Sequence, residues 1–401
     1  MRRHLHRRLA SLILLLGSIA SVNGADWPHK LGPDGRSKQG PAIAGLDGLD
    51  QATERWTASI GTGYASVSIA GGRALSTGMA DGQMTVYCFD ADTGTVLWQH
   101  SFPSSLHPRF GSYSTPTIAD NRVYAFAKEG QLLCFDLDDG SVIWQRHLAN
   151  EYNLRPPRWG FASSPTLVGD MLVVNAGNHG IAIDRATGAT RWASSGNDSG
   201  YATIVPADPQ ARQLLIFGGT ALRAVDSASG SLRWSIPWRT RHDINAAAPL
   251  IHGNEIFISS GYGTGSGLVR VDDGEAELVW TDDGLQNQMS GGVLIDGHIY
   301  TINAHRGRPG DLVCFDLSTR RVRWTGGGFG QGSLIAAGDR LLVMNDSGAL
   351  TLVAVDPSTY RPLGRRQVLP KGQSWTAPAL AGTVLYVRNT AGHVAAWQLQ
   401  P

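Results

Sequence analysis

The sequence predicts an all-β chain, an eight-bladed β-propeller of four-stranded antiparallel blades whose last blade is closed by an N-terminal strand. Three observations predict it. An Asp-x-x-x-Gly-x-x-x-Trp segment recurs along the chain, the tryptophans of successive units stand 42 to 48 residues apart, and the two chain ends carry complementary fragments of one further unit. With 50 glycines in 401 residues, only 17% charged side chains and no collagen-like glycine period, the composition suits many tight turns joining short strands.

Taken from the N-terminus, Arg2, Arg3, Arg7 and Arg8 precede an apolar run from Leu9 to Ile19, and the small residues Ala20, Ser21, Gly24 and Ala25 follow. That order reads as a signal peptide over residues 1–24, with an apolar run too short to span a bilayer comfortably. Its removal takes four arginines and no acid, so the formal charge goes from +1 to −3. A mildly acidic, lysine-poor body has no electrostatic footprint for nucleic acid. No cysteine lies near the cleavage region, so a periplasmic or secreted protein without a lipid anchor is expected, as a monomer. Residues 25–52 read as an N-terminal extension and 53–401 as the propeller.

Seven aspartates head the repeat: Asp90, Asp136, Asp184, Asp226, Asp272, Asp316 and Asp356. Six have a tryptophan eight residues on (Trp98, Trp144, Trp192, Trp234, Trp280 and Trp324), and four have glycine midway (Gly94, Gly140, Gly188 and Gly230). The physics is that of a hairpin. An apolar strand ends at an aspartate whose carboxylate bonds turn amides, glycine supplies a positive φ, and the next strand presents tryptophan for packing between units. In the later copies Ala276 and Arg320 replace the glycine and Gly364 replaces the tryptophan, so looser turns are expected there.

A period in the forties with four short strands per unit matches a propeller blade and not a helical solenoid. Within residues 114–146, Ser114–Ile118, Arg122–Ala127, Gln131–Leu137 and Val142–Arg146 read as strands A to D. The tail from Ser374 supplies three strands and stops before any Asp-Gly-Trp hairpin, whereas ERWTASIG around Trp56 has no strands before it. The Trp56 segment should therefore be the outer strand of the last blade, which closes the ring and hides its edges.

The segments FDADTGTVLW, FDLDDGSVIW, IDRATGATRW and VDSASGSLRW resemble the pyrroloquinoline-quinone-like (PQQ-like) repeat shared by quinoprotein dehydrogenases and BamB-like secreted propellers. The resemblance runs from Asp26 to the C-terminus, and the opening DWPHKLGPDGRS is similar to the Trp-Pro…Gly-Pro…Gly segment that precedes such propellers. It implies the fold, and two functions. One is a scaffold for a protein or peptide partner in the cell envelope. The other is a dehydrogenase of alcohols or sugars that uses PQQ and Ca²⁺.

A site is expected where the D-to-A and B-to-C loops share one face. The D-to-A loops bring Tyr64, Tyr113, Trp159, Tyr201, Asn245, Asn287 and Trp375 toward one mouth, with Arg109, Arg158, Arg241, His242, Asp243 and Lys371 nearby. The B-to-C loops add Lys128, His179, Tyr262, His305 and Arg306. Aromatics with several cations suit a planar or anionic ligand or a peptide; the same aromatics serve equally well as packing that plugs the channel. For quinone chemistry calcium needs several oxygen ligands. Only Asp243 and Asn245 offer a pair, with Asp243 the candidate metal or base residue, no glutamate falls in a D-to-A loop, and the adjacent cysteine pair of many such dehydrogenases is missing. Cys88, Cys134 and Cys314 each stand two residues before a repeat aspartate, where other blades carry alanine, and read as small buried fillers. No HExxH, GxSxG or GxxxxGK motif is present.

Overall fold

The computed structural model describes residues 26–40, 42–105, 111–304 and 310–400. The signal peptide expected over residues 1–24 lies outside the described residues. Eight antiparallel sheets follow one another around a ring, seven of four strands and one with a fifth strand added. Blade 1 comprises Ser68–Ala70, Arg73–Ala80, Gln83–Asp90 and Val96–Pro103 as strands A to D. Blade 2 comprises Thr117–Ala119, Arg122–Phe126, Gln131–Asp136 and Val142–His147. Strand A therefore starts three residues later than the sequence reading gave, because Ser114 to Pro116 belong to the channel-lining approach.

The ring closes as the chain ends imply. Ala379–Ala381, Val384–Arg388 and His393–Gln398 form strands A to C of blade 8, and Thr53–Ser59 pairs antiparallel with His393–Gln398 as its outer strand. Without that strand, His393–Gln398 would present a bare edge.

Every pairing of strands C and D carries a β-bulge immediately before the tryptophan position, at Leu97, Ile143, Arg191, Arg233, Val279, Arg323, Leu363 and Arg55. The extra residue bends the outer strand and raises its twist. The following indole then reaches the next blade: Nε1 of Trp56, Trp98, Trp144 and Trp192 donates to the carbonyls of Ala91, Leu137, Arg185 and Ser227, each one residue past the next blade's aspartate. The turn glycine receives the same ring. A Cβ on Gly94, Gly140 or Gly230 would come within 2.5 Å of Trp56, Trp98 or Trp192. Glycine is thus required twice over, for a φ near +70° and as a platform for the neighbouring blade's indole. Trp56, Trp98 and Trp192 are buried, whereas Trp144, Trp234, Trp280 and Trp324 are half-buried.

The degenerate turns behave differently from the expectation of looseness. Arg320 takes the glycine's place at φ 57°, so blade 6 keeps the turn. Blade 5 shortens it: Asp273 and Gly274 alone link the strands, both with positive φ, in a tight two-residue reversal. Gly364 stands where blade 7 lacks its tryptophan, and a Cβ there would meet the backbone nitrogen of Leu49 at 3.0 Å. The extension fills the missing ring's place.

That extension is also a strap across the channel. Trp27 exchanges backbone hydrogen bonds with Ile69 of blade 1, and Pro28 O accepts from Ile118 N of blade 2. Leu31 packs with the core of blades 4 and 5, Lys38 Nζ donates to Leu294 O of blade 6, and Lys38–Gln39 adds a parallel fifth strand beside Ser333–Ala337 of blade 7. These contacts sit at the A-to-B turn end of the inner strands, so the strap floors the channel and leaves the D-to-A loops as the opposite mouth. A groove of about 510 Å³ runs between strap and blades 1 to 4.

Candidate functional site

The mouth is built on a belt of hydroxyls that ties the inner strands together. Ser66 N donates to Thr115 Oγ1, Thr115 N to Ser164 Oγ, and Ser164 N to Thr203 Oγ1, linking blades 1 to 4. Ser66 Oγ donates to Ala377 O and Ser333 Oγ to Thr376 O, which joins blade 8 to blades 1 and 7. The Ser/Thr-rich wording of the D-to-A loops is therefore explained by inter-blade hydrogen bonds among buried residues.

Above this belt the aromatic residues meet. Tyr64 stacks on Tyr113 with centroids 5.2 Å apart and planes 5° from parallel, and on the other side lies 6.0 Å from Trp375. Tyr113 and Trp159 pack on a cluster of Ala162, Tyr201 and Ile244, and Tyr201 Oη accepts from Trp159 N. Tyr262 continues the arc, accepting at its hydroxyl from Gln288 Nε2 and meeting the His242 ring edge-on at 5.1 Å. Arg158 lies 5.3 Å over Trp159. Burial raises the pKa of Tyr64 and Tyr113 and pushes Tyr201 up to about 12, so these phenols stay protonated and offer no base. Arg158, Arg241, Asp243 and Lys371 are exposed around this arc. Arg109, His305 and Arg306 lie outside the described residues.

The two asparagines work inside the wall. Asn245 is fully buried; its Nδ2 donates to the carbonyls of Gly218, Gly219 and Trp238, and its Oδ1 accepts from Ser260 Oγ. Asn287 Oδ1 accepts from the Met289 and Ser290 amides, and its Nδ2 donates to Thr301 Oγ1. Asp243 sits on a left-handed turn at φ 53°, with the Arg223-paired carboxylate of Asp198 facing the same space over Gly219, and among the described residues no group of three or more acidic, histidine or cysteine side chains is placed to hold a metal. Asn245 Oδ1 is already bonded to Ser260 Oγ, so the expected Asp243–Asn245 pair does not stand as a ready calcium ligand set.

Sequence reasoning missed a buried arginine and a half-buried ion pair. Arg388 is 1% exposed and spreads its guanidinium over the carbonyls of Thr77, Gly61 and Asn389 and the Ser76 hydroxyl, bridging blades 8 and 1. Desolvation lowers its pKa to about 9, still charged at neutral pH. Arg223 pairs with Asp198 at 2.6 Å beneath the blade 4 loops. Neither has a periodic counterpart in the other blades, so no repeat signal exposes it. Lys128, read as a mouth cation, is instead buried with Nζ 3.3 Å from Gly111 O. The three cysteines are buried and unpaired, and burial pushes Cys88 to about 12 and Cys134 and Cys314 to about 11.

Solved structures share this architecture. BamB from Moraxella catarrhalis superposes with a TM-score of 0.64 at 17% identity, covering 86% of this chain and 99% of that one. A quinohemoprotein alcohol dehydrogenase from Pseudomonas putida HK5 gives 0.71 at 12% identity (94% and 80% covered), and a europium-containing methanol dehydrogenase 0.68 at 10% (94% and 98%). At these identities the likeness is one of fold. No curated protein matches the sequence. The family model described as outer membrane protein assembly factor BamB matches residues 44–158 and 155–326, well over half of the sequence. The chain therefore belongs to the PQQ-like repeat β-propeller family, in the branch that this model describes.

Proposed function

We propose that the protein is an exported, non-catalytic propeller that binds a protein or extended peptide partner in the cell envelope. One observation carries the reading: the amide oxygens best placed to ligate a cation at the mouth, those of Asn245 and Asn287, already accept from Ser260 Oγ and from the amides of Met289 and Ser290. Freeing them would strand buried donors at about 1–3 kcal/mol each. The basic stretch ending at Arg8 and the apolar run to Ile19 support export, to the periplasm or beyond. The description of the matching family model, an outer membrane protein assembly factor, supports a protein partner. PQQ with Ca²⁺ is titrated into the purified protein, followed by absorbance and by dye-linked alcohol oxidation. The expected result is neither saturable binding nor turnover. Stoichiometric binding with oxidation that Asp243→Ala abolishes would replace this reading with that of a quinoprotein dehydrogenase.

A further inference from the structure

The bulge position before each tryptophan is a ring of eight equivalent outward-facing sites, and its occupants are not equivalent. Arginine fills it in four blades, and three of these, Arg55, Arg191 and Arg233, are paired with aspartates. In blades 1 and 2 the site holds Leu97 and Ile143, 43% and 41% exposed, each preceded by a valine, Val96 at 47% and Val142 at 39%. No other blade has exposed apolar residues at both positions. The two pairs adjoin around the rim, because Trp98, next to Leu97, lies on Gly140, two residues before Val142.

Three properties of this patch define its partner. It lies on outer strands bonded on one side only, so a row of backbone groups faces outward. Val96–Pro103 is eight residues long and carries no lysine, arginine, proline before its last residue, or carboxylate to repel an added strand. The flanking turns are acidic: Asp90, Asp92, Asp136, Asp138 and Asp139 surround it, against Arg55 on Asp92 and Arg73 on Asp138. We propose that the outer edge of blades 1 and 2 docks an extended segment of another protein by strand addition, apolar at alternate residues and basic at its flanks. The proposal rests on the reading of the protein as a binding module and assigns that function to the rim in place of the mouth.

The test uses a labelled peptide of alternating valine and threonine flanked by lysines, its counterpart flanked by glutamates, and fluorescence anisotropy on the full mature chain. The substitutions are Leu97→Arg with Ile143→Arg, which place at these two bulges the residue that blades 3, 4 and 6 already fold with. Binding of the lysine-flanked peptide, at least tenfold weaker for the glutamate-flanked one and at least tenfold weaker in the double variant, is the expected result. Binding unchanged by the rim substitutions but lost on Tyr113→Ala with Trp375→Ala would overturn the rim proposal and leave the binding-module reading standing. Absence of binding by either peptide overturns the rim proposal as well. So does concentration-dependent self-association in sedimentation that the double variant abolishes, since the patch would then join two copies of this chain.

Discussion

The aspartate that opens the hairpin in blades 1 to 4, 6 and 7 holds its turn by accepting from turn amides and hydroxyls, whereas Asp272 of blade 5 accepts from Asn254 Nδ2. Asp184 Oδ1 accepts from the amides of Ala186 and Thr187 and from the Thr187 hydroxyl, and Asp316 accepts from the Ser318 amide and hydroxyl in the same way. These bonds, with Arg233 beside Asp226, hold Asp184, Asp226 and Asp316 at about 2. A carboxyl depressed in the fold stabilises it at pH above its unfolded value of about 3.9, and that stabilisation is lost as pH falls through the folded value. The urea midpoint is expected to drop steeply between about pH 4 and pH 2. Asp184→Asn should lower the midpoint at neutral pH and flatten part of that acid slope; an unchanged slope would mean that the carboxylate does not titrate with folding. Residues of this kind were legible in the sequence because the repeat multiplies them. Arg388 and the Arg223–Asp198 pair were not, because each occurs once and its burial depends on neighbours hundreds of residues away or on another blade's loop.

At the level of the hairpin, bulge, indole and glycine act as one joint between successive blades. The spacing of eight from aspartate to tryptophan is preserved in blade 5, yet the joint is not. Trp280 pairs with Leu268, four residues before Asp272, whereas Trp98 pairs with Cys88, two before Asp90. The same spacing accommodates two hairpins, one with a four-residue loop and one with the Asp273–Gly274 reversal, and only the second appears in blade 5. The shorter turn withdraws the carbonyl that Trp234 would otherwise reach, and its buried Nε1 has no hydrogen-bond partner, whereas Trp192 Nε1 donates to Ser227 O at 2.8 Å. Trp192→Phe should therefore cost about 1 kcal/mol more than Trp234→Phe in urea unfolding, the net worth of one such hydrogen bond. Equal costs, or a larger cost at Trp234, would contradict the joint. The bulge itself left no mark in the sequence, because a bulged residue faces solvent and its type is free to vary from arginine to leucine.

For the whole molecule, the ring is held by two separate N-terminal devices, and only one could be read beforehand. The closing strand announces itself through Trp56, a periodic residue standing where its own unit is otherwise missing. The strap has no period; its route is set by single contacts to inner strands of different blades. It nevertheless brings Trp27, Ile43, Leu46 and Leu49 to below 5% exposure, and full burial of side chains of this size stabilises by about 1.5–3 kcal/mol each. Two shortened chains separate the devices. A chain beginning at Asp50 keeps Thr53–Ser59 and loses the strap, so it should keep the closed ring and the assembly state of the longer protein, with a lower melting temperature. A chain beginning at Gly61 loses both and leaves the edge of His393–Gln398 unpaired, the condition under which strands recruit other chains. It should self-associate in light scattering, and a peptide of the sequence Thr53–Ser59 added in excess should suppress that by occupying the edge. If the shorter chain stays monomeric and melts with the longer one, strand Thr53–Ser59 does not close the ring, and blades 1 to 7 hold their curvature without it.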